Sequence, residues 1–93
     1  MFHRARRRPS TMQASIRTSG RDVTVQILDV SEMGLRLGTK GTFTDGQPVT
    51  VVTPRLSLPG TVMWQKAGEL GVKLDRRLSP GEMTELSGLS WGI

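Results

Sequence analysis

Apolar and polar residues alternate along most of this chain, and the places where the alternation stops divide it into short pieces. Val23-Thr24-Val25-Gln26-Ile27-Leu28 is the clearest of them, with β-branched or aliphatic residues at every second position, as a half-buried strand requires. Thr11 to Arg17 is predicted as a strand before it, with Met12, Ala14 and Ile16 on one face, and Thr18 to Asp22 as the hairpin turn between the two. After the polar turn Asp29-Val30-Ser31-Glu32-Met33-Gly34, Leu35-Arg36-Leu37 resumes the alternation. A Gly- and Thr-rich loop follows from Gly38 to Gly46, then strands at Val49 to Val52, Thr61 to Lys66 and Leu70 to Leu74, with Ala67-Gly68-Glu69 as the turn between the last two. Pro54 and Pro59 bracket a segment that reads as an irregular edge.

The period changes near the end. Ser79-Pro80-Gly81-Glu82 offers an N-cap, a proline at the first helical position and a glutamate three residues after the cap, which predicts a short helix from about Pro80 to Gly88. Met83, Leu86 and Leu89 recur on its one face. The fold class is therefore all-β: a small six-stranded antiparallel β-barrel with a short C-terminal helix.

At 93 residues there is room for one such core, and without cysteine neither a disulfide nor a thiolate metal site can support it. Residues 1–10 are expected to be a flexible arm and residues 11–93 the barrel domain. No apolar run matches a secretory signal or the roughly 20 residues of a membrane span, so a cytoplasmic protein without membrane insertion is expected.

The net charge of +5 is not spread evenly. Four of the 13 basic residues lie in Arg4-Ala5-Arg6-Arg7-Arg8 with no acid near them, while the other nine face all eight acids. The body is nearly neutral and the positive charge belongs to the arm. Every Lys/Arg position of the arm is arginine, the side chain suited to bidentate contact with phosphates or guanine edges.

Asp29, Ser31 and Gly34 are the other candidate site. If the periodicity of Val23, Val25 and Ile27 carries on, Asp29 and Ser31 start on one side of the chain, at the mouth of the barrel. A carboxylate accepts from the N1 and N2 donors of guanine, a hydroxyl donates or accepts, and Gly34 allows a sharp turn or a close backbone approach. Asp29 and Ser31 equally suit capping a turn through their own backbone.

Together the two segments resemble the PilZ family, marked by RxxxR in an N-terminal loop and [D/N]xSxxG after it; Gly34-Leu35-Arg36-Leu37, Gly60-Thr61-Val62-Met63-Trp64 and Gly71-Val72-Lys73-Leu74-Asp75 resemble its later strands. The resemblance implies a receptor for the bacterial second messenger cyclic di-GMP, often bound as a stacked dimer. It implies that Arg4 and Arg8 clamp phosphates and guanine O6/N7 edges, and that Asp29, Ser31 and Gly34 hold the other guanine edge. Arg6 and Arg7 lie inside the motif and can replace or assist the named pair.

Trp64 reads first as a core or barrel-end aromatic, and at the rim it would stack on guanine or arginine. Trp91 is expected to pack the helix end. His3 lacks partners, so no metal is expected, nor any cofactor besides the ligand itself. With no cysteine, one histidine and no Gly-rich nucleotide-hydrolysing loop, the chain does not read as an enzyme. The arm is expected to fold over the ligand and so alter the surface offered to a downstream protein effector. The rival readings are a basic barrel for RNA or single-stranded DNA and a nucleotide-independent adaptor. The first is disfavoured by having four aromatics, none adjacent to another.

Overall fold

Apolar residues at every second position shed water only if the sheet they form curls round a shared interior, and this sheet closes on itself. The computed structural model describes residues 8–9 and 12–87. Its strands are β1 (Arg8–Pro9), β2 (Gln13–Thr18), β3 (Arg21–Val30), β4 (Gly34–Gly38), β5 (Pro48–Val52), β6 (Ser57–Lys66) and β7 (Glu69–Leu74), followed by helix α1 (Pro80–Leu86). The antiparallel order β3-β2-β5-β6-β7-β4 is closed by a β3–β4 pairing, so β2 to β7 form the predicted six-stranded barrel. β1 extends the β2 side of β3, with Arg8 opposite Val30 and Pro9 opposite Asp29. The rest of the arm, with Arg4, Arg6, Arg7 and His3, lies outside the described residues, as do Leu89 and Trp91.

Inward positions carry the core: Ile16, Val25, Ile27, Leu37, Val51, Leu58, Val62, Leu70 and Leu74 are all buried. Phe43, from the loop after β4, is buried too, with its N–H donating to Gln65 Oε1 at 2.7 Å and the Arg21 guanidinium 5.7 Å from its ring centre. Leu78, just before α1, and Met83 and Leu86 on its apolar side join the same core. The segment before α1 is tied down by the Leu74 and Leu78 N–H groups, which donate to the carbonyls of Met33 and Glu32.

Two expectations need correction. The segment around Pro59 is not an irregular edge but the first part of the ten-residue β6, with Pro59 opposite Thr50. The Pro59 carbonyl accepts from Asp75 N–H, and a strand residue's N–H and C=O point to the same side. The missing donor therefore faces the β7 side, just past the last β6–β7 pair, Gly60 with Leu74.

The second correction concerns phase. The β3–β4 register slips between Ile27 and Asp29, and the β6–β7 register slips between Val62 and Trp64, leaving Leu28 and Met63 as bulge residues. After the first bulge it is Val30, not Asp29, that continues inward from Ile27, and Val30 is fully buried. After the second, Met63 and Trp64 both stay outside, and Gln65 turns in to bond Phe43 and the Gly41 carbonyl.

The β6–β7 turn holds Ala67 at φ 52° and Gly68 at φ 79°, both in the left-handed region that two-residue hairpin turns use. Ala67 carries the steric cost of that region without the local hydrogen bonding that lets asparagine tolerate it. Ala67→Asn is expected to raise the melting temperature by a few degrees, since about 1 kcal/mol corresponds to about 4–8 °C in a domain of this size.

At α1 the Ser79 hydroxyl accepts from the Glu82 N–H, and Glu82 accepts from the Ser79 N–H and from both Arg76 terminal nitrogens, at 2.8 and 2.9 Å. The Arg76 bonds, then the Ser79 N–H, lower the Glu82 carboxyl from 4.5 to about 2. Folding thus favours the ionised form: its contribution is complete above about 4.5 and is lost as pH falls towards 2. The melting-temperature advantage of wild type over Glu82→Gln is expected to persist from neutrality to about pH 5 and vanish near pH 2, measured by circular dichroism.

Candidate functional site

Both bulges deliver side chains to the same patch of outer surface. There the ends of β3 and β4, with β6 and β7 beside them, border a cleft of about 580 Å³. Its polar groups include Asp29, Ser31, Arg36 and Lys73, and its apolar groups include Met33, Met63 and Trp64. Those three are the large hydrophobic side chains left exposed among the described residues, at 40%, 52% and 40%. Apolar surface collected at one cleft, with charged groups at its border, is what a flat ligand with a polar edge requires.

Asp29 faces Arg36 directly across the β3–β4 ladder. The Arg36 Nε and NH2 groups converge on Asp29 Oδ2, at 2.9 and 2.7 Å, while NH1 reaches Glu69 Oε1 at 2.8 Å. The hydrogen bonds to Asp29, then to Glu69, raise the Arg36 pKa above its ordinary value. The guanidinium is thus held between β3 and β7 by two carboxylates.

Ser31 does what the turn-capping alternative expected of it. Its hydroxyl donates to the Gly34 carbonyl and accepts from the Gly34 N–H, both at 3.1 Å, and its backbone N–H donates to the same carbonyl at 2.9 Å. The Asp29 carboxylate accepts from Arg36 across the β3–β4 ladder. Gly34 is required for a close approach, though to the neighbouring strand: a Cβ there would sit 2.9 Å from the Val72 carbonyl oxygen.

Trp64 is neither in the core nor closing a barrel end. A Cβ at Gly71 would fall 2.2 Å from its Nε1 and 2.4 Å from its Cε2, so the indole lies against the bare backbone of Gly71. With 40% of the residue accessible, the ring forms part of the cleft surface. On the other border, β1 brings the last residue of the arginine run into register with Val30, one position from Asp29.

The sequence profile of the PilZ domain matches residues 2–90. The chain belongs to the PilZ domain family. No curated protein matches the chain significantly. PilZ domains are binding or adaptor modules rather than enzymes, and as a family they are cyclic di-GMP receptors. No helix among the described residues is long and apolar enough to cross a membrane.

Asp29, Ser31 and Gly34, the candidate residues of the sequence analysis, lie together at this cleft. The backbone of Arg8 is next to them, and Arg4, Arg6 and Arg7 are outside the described residues. Arg36, Glu69, Gly71, Met33, Met63 and Lys73 were not singled out by their sequence. A signal existed for Arg36, because a cation following an acid across a short turn between paired strands is a favourable cross-strand pair. For Gly71 and Met63 no such signal existed, since both depend on the register of β6 against β7.

Gly71→Ala is expected to displace the indole while leaving the barrel folded. In a Trp91→Phe background, Trp64 emission should shift to the red and become more accessible to iodide quenching, with the far-ultraviolet circular dichroism unchanged.

Proposed function

We propose that this PilZ domain is a cyclic di-GMP receptor whose site is the outer-face cleft between the β1–β3 junction and Trp64. The observation that carries this reading is the β1–β3 pairing, which sets Arg8 at the motif turn although about twenty residues separate the two in sequence. Arg4 and Arg8, with Arg6 and Arg7 able to assist, clamp the phosphates and the O6/N7 edges of guanine. Asp29 accepts from the guanine N1 and N2 donors. The Ser31 hydroxyl keeps a second lone pair for the same edge while its other bonds hold the turn. Gly34 keeps that turn close to β7, and Trp64 supplies a stacking face.

Signal relay follows from the arm. Ordering it costs about 1–2 kcal/mol per residue, and a hydrogen bond to a charged group contributes about 1.5–3 kcal/mol. Several such bonds are needed before the arm closes, which two phosphates and two guanines can provide. Closure then changes the surface presented to a protein effector.

Arg8→Ala and Asp29→Ala are each expected to weaken cyclic di-GMP binding at least about tenfold, the loss of one charge-assisted contact, with melting temperatures within a few degrees of wild type. Calorimetric titration on folded protein, with cyclic di-AMP as control, is the measurement. Undiminished affinity in both variants would remove the site assignment.

A further inference from the structure

The binding scheme above leaves two charged groups of the cleft without a task, Lys73 and Arg36, and Arg36 is held by two carboxylates. Arg36 uses Nε, NH1 and NH2 within the protein, on carboxylates that belong to two different strands. A guanidinium so engaged is not offering its fork to an incoming phosphate. It is holding the carboxylates, and one of them is Asp29.

A carboxylate reads guanine only if its acceptor lobes lie in the plane of the N1 and N2 donors, because hydrogen bonds weaken steeply when misaligned. Asp29 lies just after the Leu28 bulge, where the β3–β4 ladder is interrupted. Its side chain is only 16% exposed, and the Arg36 pair at 2.7 and 2.9 Å fixes its orientation. Glu69, on the far side of Arg36, prevents the guanidinium from swinging away with NH1 anchored at 2.8 Å.

We infer that Arg36, anchored by Glu69, is a positioning residue that sets the Asp29 carboxylate for guanine and thereby gives the site its preference for guanine over adenine. The inference rests on the cyclic di-GMP reading. Adenine presents an acceptor at N1 where guanine presents a donor, so a fixed carboxylate at that position favours one base and repels the other. Phosphate contacts from the arm are the same for both bases, and the O6/N7 contacts of its arginines add a guanine preference that the Arg36 variants leave in place.

The test is calorimetric titration of the full chain with cyclic di-GMP, mixed cyclic GMP-AMP and cyclic di-AMP. The proteins are wild type, Arg36→Met, Arg36→Lys and Glu69→Gln, each checked for cooperative melting. Arg36→Met keeps an apolar stem and removes the fork. It should weaken cyclic di-GMP binding about tenfold or more, the mixed ligand less, and cyclic di-AMP least.

Arg36→Lys should not restore the guanine preference, since one ammonium on a shorter stem does not replace a fork that spans two carboxylates. Glu69→Gln should fall between wild type and Arg36→Met. An equal loss for all three ligands, full rescue by lysine, or no change in Arg36→Met would each overturn the inference and leave the receptor reading standing. Absence of cyclic di-GMP binding by the folded wild-type protein would overturn both.

Discussion

Everything on the functional face depends on two bulges in the barrel wall. A strand that alternates strictly would carry the phase of Val25 and Ile27 on to Asp29, placing a carboxylate in the core and Val30 in water. Burying an unpaired charge costs several kcal/mol, and exposing a valine that belongs inside forfeits about 1.5–3 kcal/mol. Against these, one unpaired ladder position at Leu28 is a small cost. The bulge at Met63 resolves the matching conflict on β6, where Val62 is buried and Trp64 would otherwise follow it inward.

These two irregularities also explain how a closed barrel of this size binds anything. Its interior is filled by aliphatic side chains and by Phe43, so a ligand site must be on the outside. Outside positions of a β-barrel are usually polar and solvated. Here three large apolar groups share one cleft with Asp29 and with Arg36, which Glu69 holds from outside it. Gly71 makes the arrangement possible, because only a residue without a side chain lets an indole lie flat on the strand beneath it. Gly34 does the same for the approach of the motif turn to β7.

The helix has a more modest part. Its capping box and the Arg76–Glu82 pair fix where α1 begins, and Met83 and Leu86 then cover apolar surface that the strands leave open. The Leu78 N–H bond to the Glu32 carbonyl links this end of the chain to the motif turn. The motif turn and the helix end are therefore mechanically linked.

The sequence by itself determined the six strands of the barrel, their approximate limits, the start of the helix and the family, because each rests on local information; the short β1 pairing at Arg8–Pro9 was not among them. Alternation specifies a half-buried strand, Ser79-Pro80-Gly81-Glu82 specifies a helix start, and DxSxxG with RxxxR specifies a motif pair. The sequence also contained the choice between a ligand shelf and a turn cap for Asp29 and Ser31, which it could not resolve. Only the tertiary structure decided that Ser31 ties the turn, that Asp29 pairs with Arg36, and that Trp64 lies outside on Gly71. It also decided that Pro59 sits inside a continuous strand. The physical reason is common to all of these: each depends on register between strands, and a shift of one residue, such as a bulge makes, exchanges the inner and outer faces without changing the local sequence pattern.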